Sequence, residues 1–110
     1  MWYNEPMRPH KQEILRRLRT LKPQLRQEGI EELALFGSFA TDKASVYSDI
    51  DIAIKMDRNV VRKEGAYGYL ERLERIKKLL RRHLHRPVDI FDLNSASPYK
   101  AQIEAEMIRV

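Results

Sequence analysis

Apolar positions recur along this chain with two different periods. Between residues 9 and 28, Ile14, Leu18, Leu21 and Leu25 are spaced by four, three and four, so a helix places them on one face. Pro23 lies inside that stretch and predicts either a kink or a second short helix opening at its first turn. Gly29 is a natural stop. Leu33-Ala34-Leu35-Phe36 is a short apolar run bounded by Glu32 and Gly37, which predicts a buried strand. From residue 49 to 55 the period becomes two: Ile50, Ile52 and Ile54 point one way, and Asp49, Asp51, Ala53 and Lys55 the other. Residues 39–48 are small and polar and connect the two strands, with room for one helical turn. Residues 56–68 are charged and contain two glycines, and read as a loop. Residues 69–85 return to helical spacing through Leu70, Leu73, Ile76, Leu80 and Leu84, until Pro87. Val88-Asp89-Ile90-Phe91-Asp92-Leu93 predicts a third strand, and Ser97-Pro98 opens a last helix carrying Ala101, Ile103, Ala105 and Met107.

The predicted order is helix, strand, strand, helix, strand, helix. It implies an α/β (α+β) fold, a small mixed sheet with helices packed on one face. The strand–helix–strand step predicts a parallel crossover that sets the third strand beside the second.

At 110 residues with 43% apolar content, the expectation is a single domain over residues 1–110 with one core. No apolar run approaches the roughly 18 residues of a membrane span. The amino-terminal residues lack the layout of a secretory signal, so a cytoplasmic protein is expected. The absence of cysteine excludes disulfides and thiolate zinc sites. The net charge of +5 is uneven: residues 62–86 carry nine Lys or Arg and three Glu. Such a segment attracts phosphates, nucleic acid or an acidic protein surface, or is simply a solvated helix face. Aromatic residues do not interleave it as single-strand stacking platforms would.

The candidate chemistry is concentrated between residues 37 and 51, where Gly37-Ser38 is followed after ten residues by Asp49-x-Asp51. A Gly-Ser turn after a strand brings backbone N–H groups close to a triphosphate. Two carboxylates on one strand face hold hard divalent cations, and Mg²⁺ shares its remaining positions with water and substrate phosphates. A lone Asp-x-Asp is also what an ordinary exposed strand carries. The crossover changes the balance: with Val88 and Ile90 inward, Asp89 lies on the same side as Asp49 and Asp51. Three carboxylates on adjacent strands suit a site that stabilises the attacking and leaving oxygens of an in-line displacement. Asp92 has the opposite parity and reads as a strand-end cap or a solvated residue. His10, His83 and His85 have no ligand spacing. Trp2 and Tyr3 read as a packing or interface anchor. Tyr67 and Tyr69 read as core or surface packing residues, with cover for a nucleotide or contact with a partner as the alternatives.

These residues carry a resemblance. Leu33-Ala34-Leu35-Phe36-Gly37-Ser38-Phe39-Ala40, then Ser48-Asp49-Ile50-Asp51-Ile52, then Val88-Asp89-Ile90, resemble the minimal nucleotidyltransferases of the DNA polymerase beta-like superfamily. The resemblance implies the nucleotidyltransferase fold and transfer of a nucleotide from a nucleoside triphosphate. It implies Asp49, Asp51 and Asp89 as catalytic and metal-binding residues with Mg²⁺ as cofactor, and Gly37 and Ser38 as phosphate contacts. Many relatives have Arg-Gly where this chain has Thr41-Asp42, and Lys43 or Lys55 is then expected to supply a nucleotide contact. Members similar to this chain act as antitoxins that move AMP from ATP to a tyrosine hydroxyl of an all-helical HEPN toxin, forming a hetero-oligomer with it. A non-catalytic binding antitoxin, or an enzyme acting on RNA or a small molecule, is the alternative.

Overall fold

The structure is a computed structural model, and it describes residues 11–110. Trp2, Tyr3 and His10 lie outside the described residues. The first helix, α1 (Lys11–Gln27), buries the expected Ile14, Leu18, Leu21 and Leu25, together with Leu15. It runs through Pro23 as one helix. Proline withholds only its own backbone donor, and the turn beyond it is anchored by Leu25, which is fully buried. Gly29, at φ +93°, then reverses the chain into β1 (Ile30–Phe36). A single turn, α2 (Gly37–Ala40), follows β1 directly, and β2 (Ile50–Met56) completes an antiparallel pair with it.

The stretch expected to be a loop at 56–68 is mostly helical. The helix α3 (Arg58–Leu84) begins after Asp57, whose carboxylate accepts a hydrogen bond from the Asn59 backbone N–H at 2.8 Å. Val60 lies beside Gly29, and Val61 packs against the main core, so tertiary contact overrides the weak helix propensity of β-branched residues. The loop-like signal survives only at Gly65, where φ +73° and ψ −175° break α3 into two helical pieces. Arg72 ties the break to the turn after α1, donating to the Glu28 carbonyl at 2.8 Å and pairing with Glu64 and Glu28. Leu70, expected in the apolar stripe, is 57% exposed; Ile76, Leu80 and Leu84 form the buried contact. His85 ends the helix in the left-handed conformation, φ 58°.

The remaining elements are β3 (Val88–Asp92), α4 (Lys100–Glu106) and β4 (Ile108–Arg109). The short β4 was not foreseen; it pairs with β1 and closes that edge. The sheet order is β3-β2-β1-β4, with β2 and β3 parallel and β1 antiparallel to both its neighbours.

The two sheet faces differ. Under α1 and α3 lie Leu33, Leu35, Ile50, Ile52, Ile54 and Val88. Truncating one of these leucines or isoleucines to alanine costs about 2–5 kcal/mol. The other face holds a smaller cluster of Ala34, Ala53, Leu93 and Ile103, with Phe36 and Phe91 against it. Ala34 and Ala53 are register partners, and their small side chains let Ile103 of α4 pack over them. The small second cluster covers the Ala53 end of the carboxylate face and leaves the Asp51 end open. Among the described residues no helix is long and apolar enough to cross a membrane.

Candidate functional site

Everything at the open end of the sheet follows from two local facts. The first is that β1 stops at Phe36 and turns sharply at Gly37, whose φ is +75°. A Cβ built on Gly37 would fall 2.1 Å from Oδ2 of Asp51 and 2.9 Å from its Cγ. Glycine is required there by backbone conformation and by the carboxylate pressed against it. The turn is closed by Thr41, whose N–H and hydroxyl both donate to the Gly37 carbonyl, at 3.1 and 3.0 Å. The Lys43 N–H donates to the Ser38 carbonyl at 2.8 Å.

The second fact is the β2–β3 register, which sets Asp51 directly beside Asp89. Parallel neighbours in register present their side chains on the same face. Asp49 precedes β2 by one residue and shares the parity of Asp51. Asp51 is half-buried, whereas Asp49 and Asp89 are exposed. Burial raises the Asp51 carboxyl above the ordinary aspartate range, and the charges of Asp89 and then Asp49 raise it further. Among the described residues, Lys11 pairs with Asp42, and Lys55 and Arg109 pair with Glu32, so these cations are engaged away from the three aspartates. As they stand, the described residues bring no three carboxylates or imidazoles close enough together to hold a metal ion. The donor set nevertheless fits a hard divalent cation: oxygen ligands only, neighbouring like charges that raise the Asp51 carboxyl, and one face open to water and phosphate. Mg²⁺ keeps several waters and needs only one or two protein carboxylates alongside substrate oxygens.

Lys55 is not brought to this cluster. Its parity is that of Asp51, but four residues of strand separate them by about 13 Å. Its ammonium pairs with Glu32 at 3.6 Å, its register partner on β1. Parity along a strand says nothing about distance along it, and a cross-strand carboxylate has claimed this lysine. Asp42 is also spoken for: it sits in the left-handed region at φ 61° and pairs with Lys11 at 3.1 Å. Asp92 is the strand-end cap, accepting from the Asn94 N–H at 2.8 Å and from the Tyr69 hydroxyl. Burial and that bond to Asp92 push the Tyr69 hydroxyl well above the ordinary tyrosine range. Tyr69 packs against the main core, and Tyr67 is 85% exposed. Part of the basic 62–86 run is likewise structural, since Arg72 and Arg75 pair with Glu28.

Two features escaped the sequence reading. An open groove of about 430 Å³ runs from Gly37 and Asp89 along Phe36, Phe91 and Ile103 to Tyr99. Phe36 and Phe91 meet edge to face at 6.2 Å beside it. Arg86 holds the segment before Asp49, donating to the carbonyls of Val46 and Ser48 at 2.7 Å each. Its guanidinium also lies 5.7 Å from the centre of the Phe39 ring in α2. No local sequence signal marks either feature, because each joins segments distant in the chain.

Comparison with known proteins adds the following. Residues 19–110 match the family model described as polymerase beta, nucleotidyltransferase. Among solved structures, one assigned as a minimal nucleotidyltransferase is 23% identical and superposes with a TM-score of 0.75, covering 93% of this chain and 97% of its own. A toxin–antitoxin structure with AMP-PNP is 24% identical, with a TM-score of 0.57 over 92% of this chain and 72% of its own. A mutant form of the toxin–antitoxin MntA-HpeT is 25% identical, with a TM-score of 0.56 over 94% of this chain and 72% of its own. No curated protein sequence matches this chain.

Proposed function

This chain belongs to the polymerase beta nucleotidyltransferase family, and we propose that within it the chain is a Mg²⁺-dependent adenylyltransferase antitoxin. Its substrate is ATP, and its acceptor is a tyrosine hydroxyl on an all-helical HEPN toxin with which it forms a hetero-oligomer. The observation that carries the reading is the meeting of Gly37, Asp51 and Asp89: the turn after β1 abuts one carboxylate, and the parallel register sets the second beside it. The similar MntA-HpeT structure, a toxin–antitoxin, supports the antitoxin role.

Asp49 and Asp51 would hold the cation, with Asp89 completing the set, and a bound cation would supply neutralisation of the phosphate charge that develops during transfer. Gly37 and Ser38 present backbone to the triphosphate and orient it. Asp89 stands at the head of the groove and accepts the proton of the incoming hydroxyl. That oxygen forms a bond to the α-phosphorus, the bond from the α-phosphorus to the bridging oxygen breaks, and pyrophosphate leaves. Alignment and charge neutralisation do most of the work in such a displacement.

The test is co-expression of the chain with the helical partner, followed by incubation of the purified complex with Mg²⁺ and ATP labelled on the α-phosphate. Label on a partner tyrosine, absent with Asp49→Asn/Asp51→Asn, is the expected result. A tight complex without label would replace catalysis by neutralisation through binding. Label on RNA or a small molecule instead would change the acceptor.

A further inference from the structure

We propose that Arg86 is a positioning residue of the carboxylate site, acting through the backbone on either side of Asp49. The inference rests on reading the three aspartates as a cation site. Asp49 precedes β2, so no strand ladder fixes it. Two anchors from consecutive residues hold it instead. On one side, Ser48 offers its carbonyl to Arg86 at 2.7 Å. On the other, the Ile50 N–H donates to the Pro87 carbonyl at 2.9 Å.

The same Arg86 nitrogen also reaches the Val46 carbonyl at 2.7 Å, so it spans the end of a tight turn. That turn is internally closed: the Ser48 N–H donates to the Ser45 carbonyl at 3.1 Å, and the Ser45 N–H donates to the Ser48 hydroxyl at 2.9 Å. Arg86 therefore grips a stiff unit, and holding it fixes the approach to Asp49. The guanidinium is suited to this, with several donors in a rigid planar fork and a face that stacks on Phe39. Phe39 is buried and lies two residues beyond Gly37. Asp89 lies three residues beyond Arg86. One side chain thus links the turn at Gly37, the segment carrying Asp49 and the strand carrying Asp89.

Charge and position make opposite predictions for this residue. A guanidinium near a cation site repels the cation, so its removal by charge alone would tighten metal binding. Loss of the positioning bonds would weaken it, as removal of groups that orient metal ligands does by about 10- to 100-fold.

The experiment titrates the chain of residues 1–110 with Mn²⁺ alone, followed by electron paramagnetic resonance, alongside a thermal melt without metal. Arg86→Ala is expected to weaken Mn²⁺ binding at least about tenfold, with Arg86→Lys in between and Arg86→Gln near Arg86→Ala. In an Asp49→Asn background, Arg86→Ala is expected to cause no further loss, because the residue it positions is gone. In an Asp89→Asn background the loss should persist. If Arg86→Ala does not fold, the Lys and Gln variants carry the same comparison. Wild-type or tighter affinity in a folded variant would overturn the proposal, as would an equal loss with and without the Asp49 carboxylate. A wild-type chain that binds no Mn²⁺ would remove the cation site itself, and the inference with it.

Discussion

Gly37→Ala is the sharpest perturbation this structure offers, because it acts on fold and site at once. The new Cβ must adopt φ +75° and fit 2.1 Å from Oδ2 of Asp51. The backbone penalty for a non-glycine residue in the left-handed region is about 1–2 kcal/mol. The clash is relieved only if the Asp51 side chain swings away, which costs about 0.5–1.5 kcal/mol when it leaves a preferred rotamer. Cβ of Asp51 remains 3.0 Å away in any rotamer, so the strands must also give slightly. The expected total is roughly 2–4 kcal/mol, a large share of the ~5–15 kcal/mol that keeps a domain folded. Urea unfolding followed by circular dichroism measures it. The informative comparison is a double-mutant cycle with Asp51→Ala, which removes the two shortest contacts and leaves the backbone penalty unchanged. Gly37→Ala should then cost about 0.5–1.5 kcal/mol less in the Asp51→Ala background than in the wild type. An equal cost in both backgrounds would refute the argument that Asp51 presses on the turn.

Three further outcomes follow from the same geometry. The raised Asp51 carboxyl means that ionising it in the fold costs stability. That cost is absent below the ordinary aspartate range and fully present above the folded-state value. Asp51→Asn should therefore raise the melting temperature at neutral pH, with the gain fading as pH falls into the ordinary aspartate range; a gain that persists in acid would contradict this. Tyr69→Phe removes the hydroxyl bonded to Asp92 and should cost about 1–2 kcal/mol in urea unfolding, with no change in ATP affinity. Lys55→Ala breaks only an exposed pair with Glu32, so calorimetry should find ATP affinity unchanged and stability within about 1 kcal/mol of wild type.

The sheet was legible because its strands carry strong, short-range signals. Alternation in β2 fixed which side Asp49 and Asp51 face, and the inward Val88 and Ile90 fixed Asp89 with them. The crossover rule then supplied the adjacency that the register confirms, Asp51 beside Asp89. What was missed depends on partners remote in the chain. Val60 and Val61 are poor helix formers whose packing against Gly29 and the core decides the issue. Two residues of β4 are too few to show a period, and only β1 makes them a strand. Lys55 had the right parity, but its neighbour across the sheet is Glu32. Arg86 looked like one more charge in a basic run, because the carbonyls it holds lie 40 and 38 residues earlier. The open carboxylate face was also only half open, since Ala34 and Ala53 are small enough to admit Ile103 over them.

The most direct measurement of the central claim is calorimetric titration of the chain with ATP, with and without Mg²⁺, for the wild type and for Asp51→Asn. Binding that requires Mg²⁺ and collapses in Asp51→Asn is what a cation-assembled nucleotide site predicts. ATP binding of equal strength without Mg²⁺, or unchanged by Asp51→Asn, would contradict it.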